Sequence, residues 1–227
     1  MSSKQDNWSE PIRNSIMCNK PFRLMVVSRS QMGKTTLMIK LMAYYWLKYF
    51  HKVYIFCPTF HQDKKWAAVN KFVKAGLIKV YYTVDSMIIK DIWNKNKTLK
   101  DDILIYFDDC VGQKDFKINN EQGIINQLVS KGNHANISTI WVVQKFTQCS
   151  TIMRVNAEAM ITFYVQSDDE KKYIWKEFGV GSFKNFKKML DHCTEEKYHY
   201  LFCNRQGPGR PDYYHNFKYV VYNKDDA

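Results

Sequence analysis

Two polar clusters in this chain combine residue types that handle phosphate. The first reads Ser28-Arg29-Ser30-Gln31-Met32-Gly33-Lys34-Thr35-Thr36 and lies between an apolar run and an amphipathic stretch. Such a loop suits the polyphosphate of ATP, because successive backbone N–H groups and a helix start present partial positive charge to a dense anion. Gly33 permits close backbone approach, Lys34 can reach the outer phosphates and Thr35 offers a hydroxyl to Mg²⁺. Ser28 stands where the GxxxxGK(S/T) pattern has its first glycine, which predicts a turn made at some conformational cost. The second cluster, Asp108-Asp109, ends the apolar run 103–107. Asp108 is assigned to the Mg²⁺ shell and Asp109 to positioning or deprotonating an attacking water, since both roles need an ionised carboxylate. Asp101-Asp102 precede the same run, at the wrong end for that chemistry, and are expected to be solvated. Gln144 ends the next apolar run, 138–143, where a neutral amide can hydrogen-bond a terminal phosphate or water. Arg154 follows; its planar fork suits charge on a transferring phosphoryl group, and it equally fits an ordinary surface ion pair.

These residues can cooperate only if a scaffold delivers them to one edge. Short apolar, β-branched or aromatic runs at 22–27, 53–57, 78–82, 103–107, 139–143 and 160–165 read as strands buried on both faces. Met38, Leu41, Met42, Tyr45, Trp46 and Tyr49 fall on one helical stripe, and further helices are expected over 63–75, 85–95, 121–131 and 168–178. Strand and helix in alternation predict an α/β three-layer sandwich around a mainly parallel sheet with right-handed crossovers. Ligand sites in such sheets lie at the carboxyl edge, where both clusters would stand. Residues 198–203 and 217–222 read as a C-terminal β extension of one sheet edge, around a Gly207-Pro208-Gly209 turn.

With these elements in order, the chain resembles the FtsK/HerA superfamily of P-loop ATPases, in particular the genome-packaging ATPases of poxviruses, other large DNA viruses and virophages. The resemblance covers residues 20–165 and rests on SRSQMGKTT, ILIYFDDC, and TIWVVQKF followed by IMRVNA. It implies an ASCE/RecA-like P-loop NTPase fold and a homo-oligomeric ring, pentameric or hexameric, that hydrolyses ATP with Mg²⁺ and drives double-stranded DNA into a preformed capsid. Capsid proteins would be partners, and the setting would be the host cell cytoplasm at viral assembly sites, or the virion. By the same likeness Asp109 is the catalytic carboxylate, Gln144 the sensor and Arg154 a finger reaching a neighbouring subunit. The paired aspartates and the glutamine after the next strand match the viral branch, whereas Ser28 and the glycine-poor loop depart from the usual pattern.

The whole-chain arithmetic agrees with a polyanion as partner. The 227 residues include 34 basic and 22 acidic ones, a net charge of +12, and 45% are hydrophobic, enough for a substantial core. One domain over 21–227 with an N-terminal extension over 1–20 is expected; Trp8 and Pro11 could make that extension a strap onto a neighbour. No apolar run approaches the roughly 20 residues of a membrane span, so no membrane partner is expected. The six cysteines show no CxxC pair, as expected of reduced thiols. Candidate DNA contacts are Lys114 and Lys117 after the aspartate pair, and Lys184, Lys187 and Lys188 around Phe183 and Phe186, although lysine runs are usually solvated faces. His192, Cys193, His199 and Cys203 match no usual zinc spacing. Two other functions remain open on the residues alone: a small nucleoside or nucleotide kinase, and a basic virion protein that binds nucleotide without hydrolysis.

Overall fold

A computed structural model describes residues 20–116, 122–206 and 211–220. Nine strands form one sheet: β1 (Arg23–Val27), β2 (Lys52–Phe56), β3 (Ile78–Tyr81), β4 (Ile103–Asp108), β5 (Ile137–Val143), β6 (Ala159–Thr162), β7 (Leu201–Asn204), β8 (Asp212–His215) and β9 (Lys218–Val220). Their order is β3-β2-β4-β5-β1-β6-β7-β8-β9. The first six are parallel, and β7 to β9 add an antiparallel flank. Every residue of β4 and β5 is buried, which explains why their sequences are continuous apolar runs and not alternating ones.

Two apolar layers sandwich the sheet. On one face Leu24, Val26, Leu104, Tyr106, Ile140 and Val142 pack against α1 (Lys34–Tyr44) and against Trp66 and Val69 of the 3₁₀ turn Lys64–Val69. On the other, Met25, Val27, Ile105, Phe107, Trp141 and Val143 meet α3 (Ser86–Leu99), α4 (Ile124–Lys131), α5 (Thr151–Asn156), α6 (Asp168–Phe178) and α7 (Phe183–Thr194). The alternation of odd and even positions between the two faces follows from the two-residue period of a strand.

Several expected boundaries move. The stripe from Met38 to Tyr49 is not one helix: α1 stops at Tyr44, Tyr45 leaves helical geometry, and a 3₁₀ turn over Trp46–Lys48 follows. Met38, Leu41, Met42 and Trp46 are still buried, while Tyr49 is exposed, because the tighter turn rotates it off the core face. The segment 63–75 divides into the 3₁₀ turn and the short α2 (Asn70–Lys74). Helices α5 and α7 were unexpected, as was β8. The Gly207-Pro208-Gly209 turn, residues 221 and 222, and most of the N-terminal extension, with Trp8 and Pro11, lie outside the described residues.

Candidate nucleotide site

The loop Ser28–Gly33 leaves β1 and enters α1 at the carboxyl edge of the parallel strands. Ser28 is buried and donates its N–H to the Val143 carbonyl at 3.0 Å, which ties the loop to the end of β5. Its hydroxyl donates to the Arg29 carbonyl at 3.0 Å. The expected cost of a serine at this position does not arise, because the left-handed conformations fall on Gln31 (φ 64°) and Gly33 (φ 92°). Gly33 caps α1 without a side-chain hydrogen bond, so the first N–H groups of the helix keep their capacity to bind an anion. Arg29 and Ser30 are exposed, and the Arg29 guanidinium donates to Gln166 Oε1 at 2.9 Å. Met32 packs partly against the α1-side core, and Thr35 and Thr36 occupy the first turn of α1.

Strand β5 lies between β1 and β4, and that placement brings Gln144 between the loop and the aspartate pair. Lys34, Asp109, Gln144 and Gln148 line one cavity of about 250 Å³. Asp108 and Asp109 are treated differently although adjacent. Asp108 pairs with Val142 inside the sheet and is only 4% exposed, whereas Asp109 takes a left-handed conformation (φ 56°) and turns into solvent at the cavity. Aspartate tolerates that conformation better than most side chains. Burial raises the Asp108 pKa to about 6, with Lys34 pulling down and the Asp109 charge pushing up. A hydroxyl at Thr35 and a buried carboxylate at Asp108 are hard oxygen donors of the kind Mg²⁺ takes, and a cation beside Asp108 would relieve the cost of its ionisation.

Gln148 was missed in the sequence. Its Oε1 accepts from the backbone N–H groups of Gln144 (3.1 Å) and Lys145 (2.9 Å), fixing the turn that carries Gln144. A glutamine four residues after another at a strand end was the available signal. Gln144 also borders a wider cavity of about 890 Å³ between the loop and α6, lined by Arg29, Tyr164, Gln166 and Glu170.

The remaining candidates lie elsewhere. Arg154 lines neither cavity; on α5 it donates to Thr151 Oγ1 at 3.1 Å and stacks over Phe146 at 5.5 Å. Its Nε is buried and has no hydrogen-bond partner among the described residues. Lys114 is exposed in the 3₁₀ turn Lys114–Phe116, and Lys117 lies outside the described residues. On α7 Lys184 and Lys188 are exposed, and Lys187 pairs with Asp168 at 2.5 Å. Asp102 is not simply solvated, since it pairs with Lys20 at 2.5 Å at the far end of β4. Of the zinc-like quartet, Cys193 and Cys203 are buried and His199 Nδ1 meets His215 Nε2 at 3.1 Å. Arg205 stacks on Phe178 at 4.2 Å and donates to the carbonyls of Glu177, Val155 and Ala157. Among the described residues no helix is long and apolar enough to cross a membrane.

The sequence model of the Poxvirus A32 protein family matches residues 10–200. The genome packaging NTPase B204 from Sulfolobus turreted icosahedral virus 2, in complex with AMP, shares 16% identity at a TM-score of 0.64, covering 90% of this chain and 100% of its own. Its complex with ATP-gammaS gives 17%, 0.60, 89% and 100%. The conjugation coupling protein TcpA of pCW3, with ATPgS, gives 12%, 0.62, 92% and 62%. The shared architecture is the α/β fold of P-loop ATPases. No curated protein sequence matches significantly.

Proposed function

The chain belongs to the Poxvirus A32 protein family, and from that premise we propose that it is an ATP-hydrolysing motor that drives double-stranded DNA into a viral capsid. The observation that carries the reading is the convergence of Lys34, Asp109 and Gln144 on one cavity at the mouth of the loop. In this reading the N–H groups of residues 30–36 and the Lys34 ammonium hold the polyphosphate. Thr35 and Asp108 hold Mg²⁺, which when bound offsets phosphate charge. Asp109, turned out of the sheet, orients a water and accepts its proton. Gln144, spanning both cavities, senses the terminal phosphate.

Arg154 serves a neighbouring subunit in a homo-oligomeric ring, which accounts for its distance from the cavities of its own chain. Lys114, Lys184 and Lys188 supply phosphate contacts along DNA, capsid proteins dock the ring, and the host cytoplasm is the place of assembly. Steady-state ATP hydrolysis at low salt, with and without double-stranded DNA, tests the proposal. Turnover stimulated by DNA and lost in a folded Lys34→Ala protein is expected; unaltered turnover in that variant would refute the phosphate-loop assignment.

A further inference from the structure

Tyr198 lies far from the phosphate loop in sequence and against it in space. A Cβ built on Gly33 would stand 3.0 Å from Tyr198 Cδ1, so the tyrosine ring rests on the glycine that opens α1. The tyrosine itself holds a left-handed backbone (φ 74°), which a bulky side chain rarely adopts. Its neighbours impose that conformation. His199 donates its N–H to the Glu196 carbonyl at 3.1 Å and its ring meets His215 at 3.1 Å, while Tyr200 donates its N–H to Asn216 Oδ1 at 3.0 Å. Strain held in place by surrounding contacts, at a residue that is 54% exposed, is not what core packing produces.

Position in the sheet gives the ring a use. The terminal-phosphate end of the site is marked by Lys34, Asp109 and Gln144, on the β4 and β5 side of β1. Tyr198 stands on the opposite flank. It precedes β7, whose first residue, Leu201, pairs with Thr162 at the end of β6, and Thr162 pairs with Val27 at the end of β1. A polyphosphate lying along the loop with its terminal phosphate toward β4 and β5 directs its nucleoside toward β6 and β7. Lys197 Nζ, 5.0 Å from the Tyr198 ring, adds a cation on that flank.

We propose that Tyr198 is the base-binding residue of this site, its exposed ring stacking against the nucleobase of the nucleotide whose phosphates the loop holds. The assignment rests on the nucleotide reading of the loop. It is tested by measuring binding of ATP-gammaS and of inorganic tripolyphosphate to the full chain and to Tyr198→Ala and Tyr198→Phe. Both substitutions keep a side chain at the strained position, so the pair isolates the ring. Stacking on one base predicts that Tyr198→Ala weakens ATP-gammaS binding by about 5- to 150-fold, leaves tripolyphosphate binding unchanged, and raises KM for ATP more than it lowers kcat. Tyr198→Phe should restore the affinity. Equal loss of both ligands in Tyr198→Ala, or loss of neither, overturns the assignment, the first outcome assigning Tyr198 to support of Gly33. A wild-type chain that binds neither ligand removes the phosphate-loop reading, and the assignment with it.

Discussion

Two adjacent aspartates show how much one residue's surroundings decide. Asp108 titrates at about 6 in the folded chain against an ordinary value of 3.8, chiefly because it is buried. The folded state therefore binds this proton more tightly than the unfolded state. Its contribution to stability is fully present below about pH 4 and is lost as pH rises through about 6. Nucleotide-free Asp108→Asn should consequently be more stable than wild type at pH 8, by roughly 2–3 kcal/mol, with the difference vanishing near pH 4. Urea denaturation across that range measures it. Asp109 is instead exposed at the cavity. Asp109→Asn should retain ATP binding and lose about 10²- to 10⁴-fold in kcat, the usual contribution of a general base. The residue types were legible in the chain, but the sequence could not separate a buried carboxylate from an exposed one, because a single left-handed turn at Asp109 makes the difference.

At the scale of elements, the parallel strands announced themselves through continuous apolar runs, and α6 through a polar face above a buried stripe. Helices α5 and α7 did not, since their lysines and arginine drew attention to charge while Phe186, Leu190 and Met153 supplied the packing. The end of α6 shows how closely elements are fitted. A Cβ on Gly179 would stand 2.6 Å from the Trp175 carbonyl oxygen, and the adjacent Phe178 carbonyl accepts from the Tyr213 hydroxyl of β8 at 2.7 Å. Gly179→Ala must shift backbone that the antiparallel flank holds in place. A loss of about 1–3 kcal/mol, as for other overpacked sites, is expected in denaturant unfolding.

For the whole molecule, a net charge of +12 bears on association more than on fold. If Lys184 and Lys188 contact DNA phosphates, replacing each with alanine should weaken binding uniformly across sequences and lower the salt slope by about one. Arg154 gives a test of the ring. Neither Arg154→Ala nor Lys34→Ala alone should turn over ATP, whereas a mixture should recover part of the activity, because an intact loop in one subunit meets an intact arginine from the other. No recovery in co-assembled mixtures would place Arg154 in a structural role on Phe146.

Short-range information in the sequence determined the parallel strands, the phosphate loop and the acidic strand end. Each is written in consecutive residues whose burial and backbone needs are local: Ile103–Asp108 reads as a buried strand because every position in it is covered. Tertiary structure alone decided the order of the strands, and with it the site. Gln144 reaches the cavity because β5 enters the sheet between β1 and β4, and Tyr198 reaches Gly33 because β7 returns antiparallel beside β6. Those contacts depend on which strand edges pair across the chain, a competition among long-range packings that no local pattern of residues encodes.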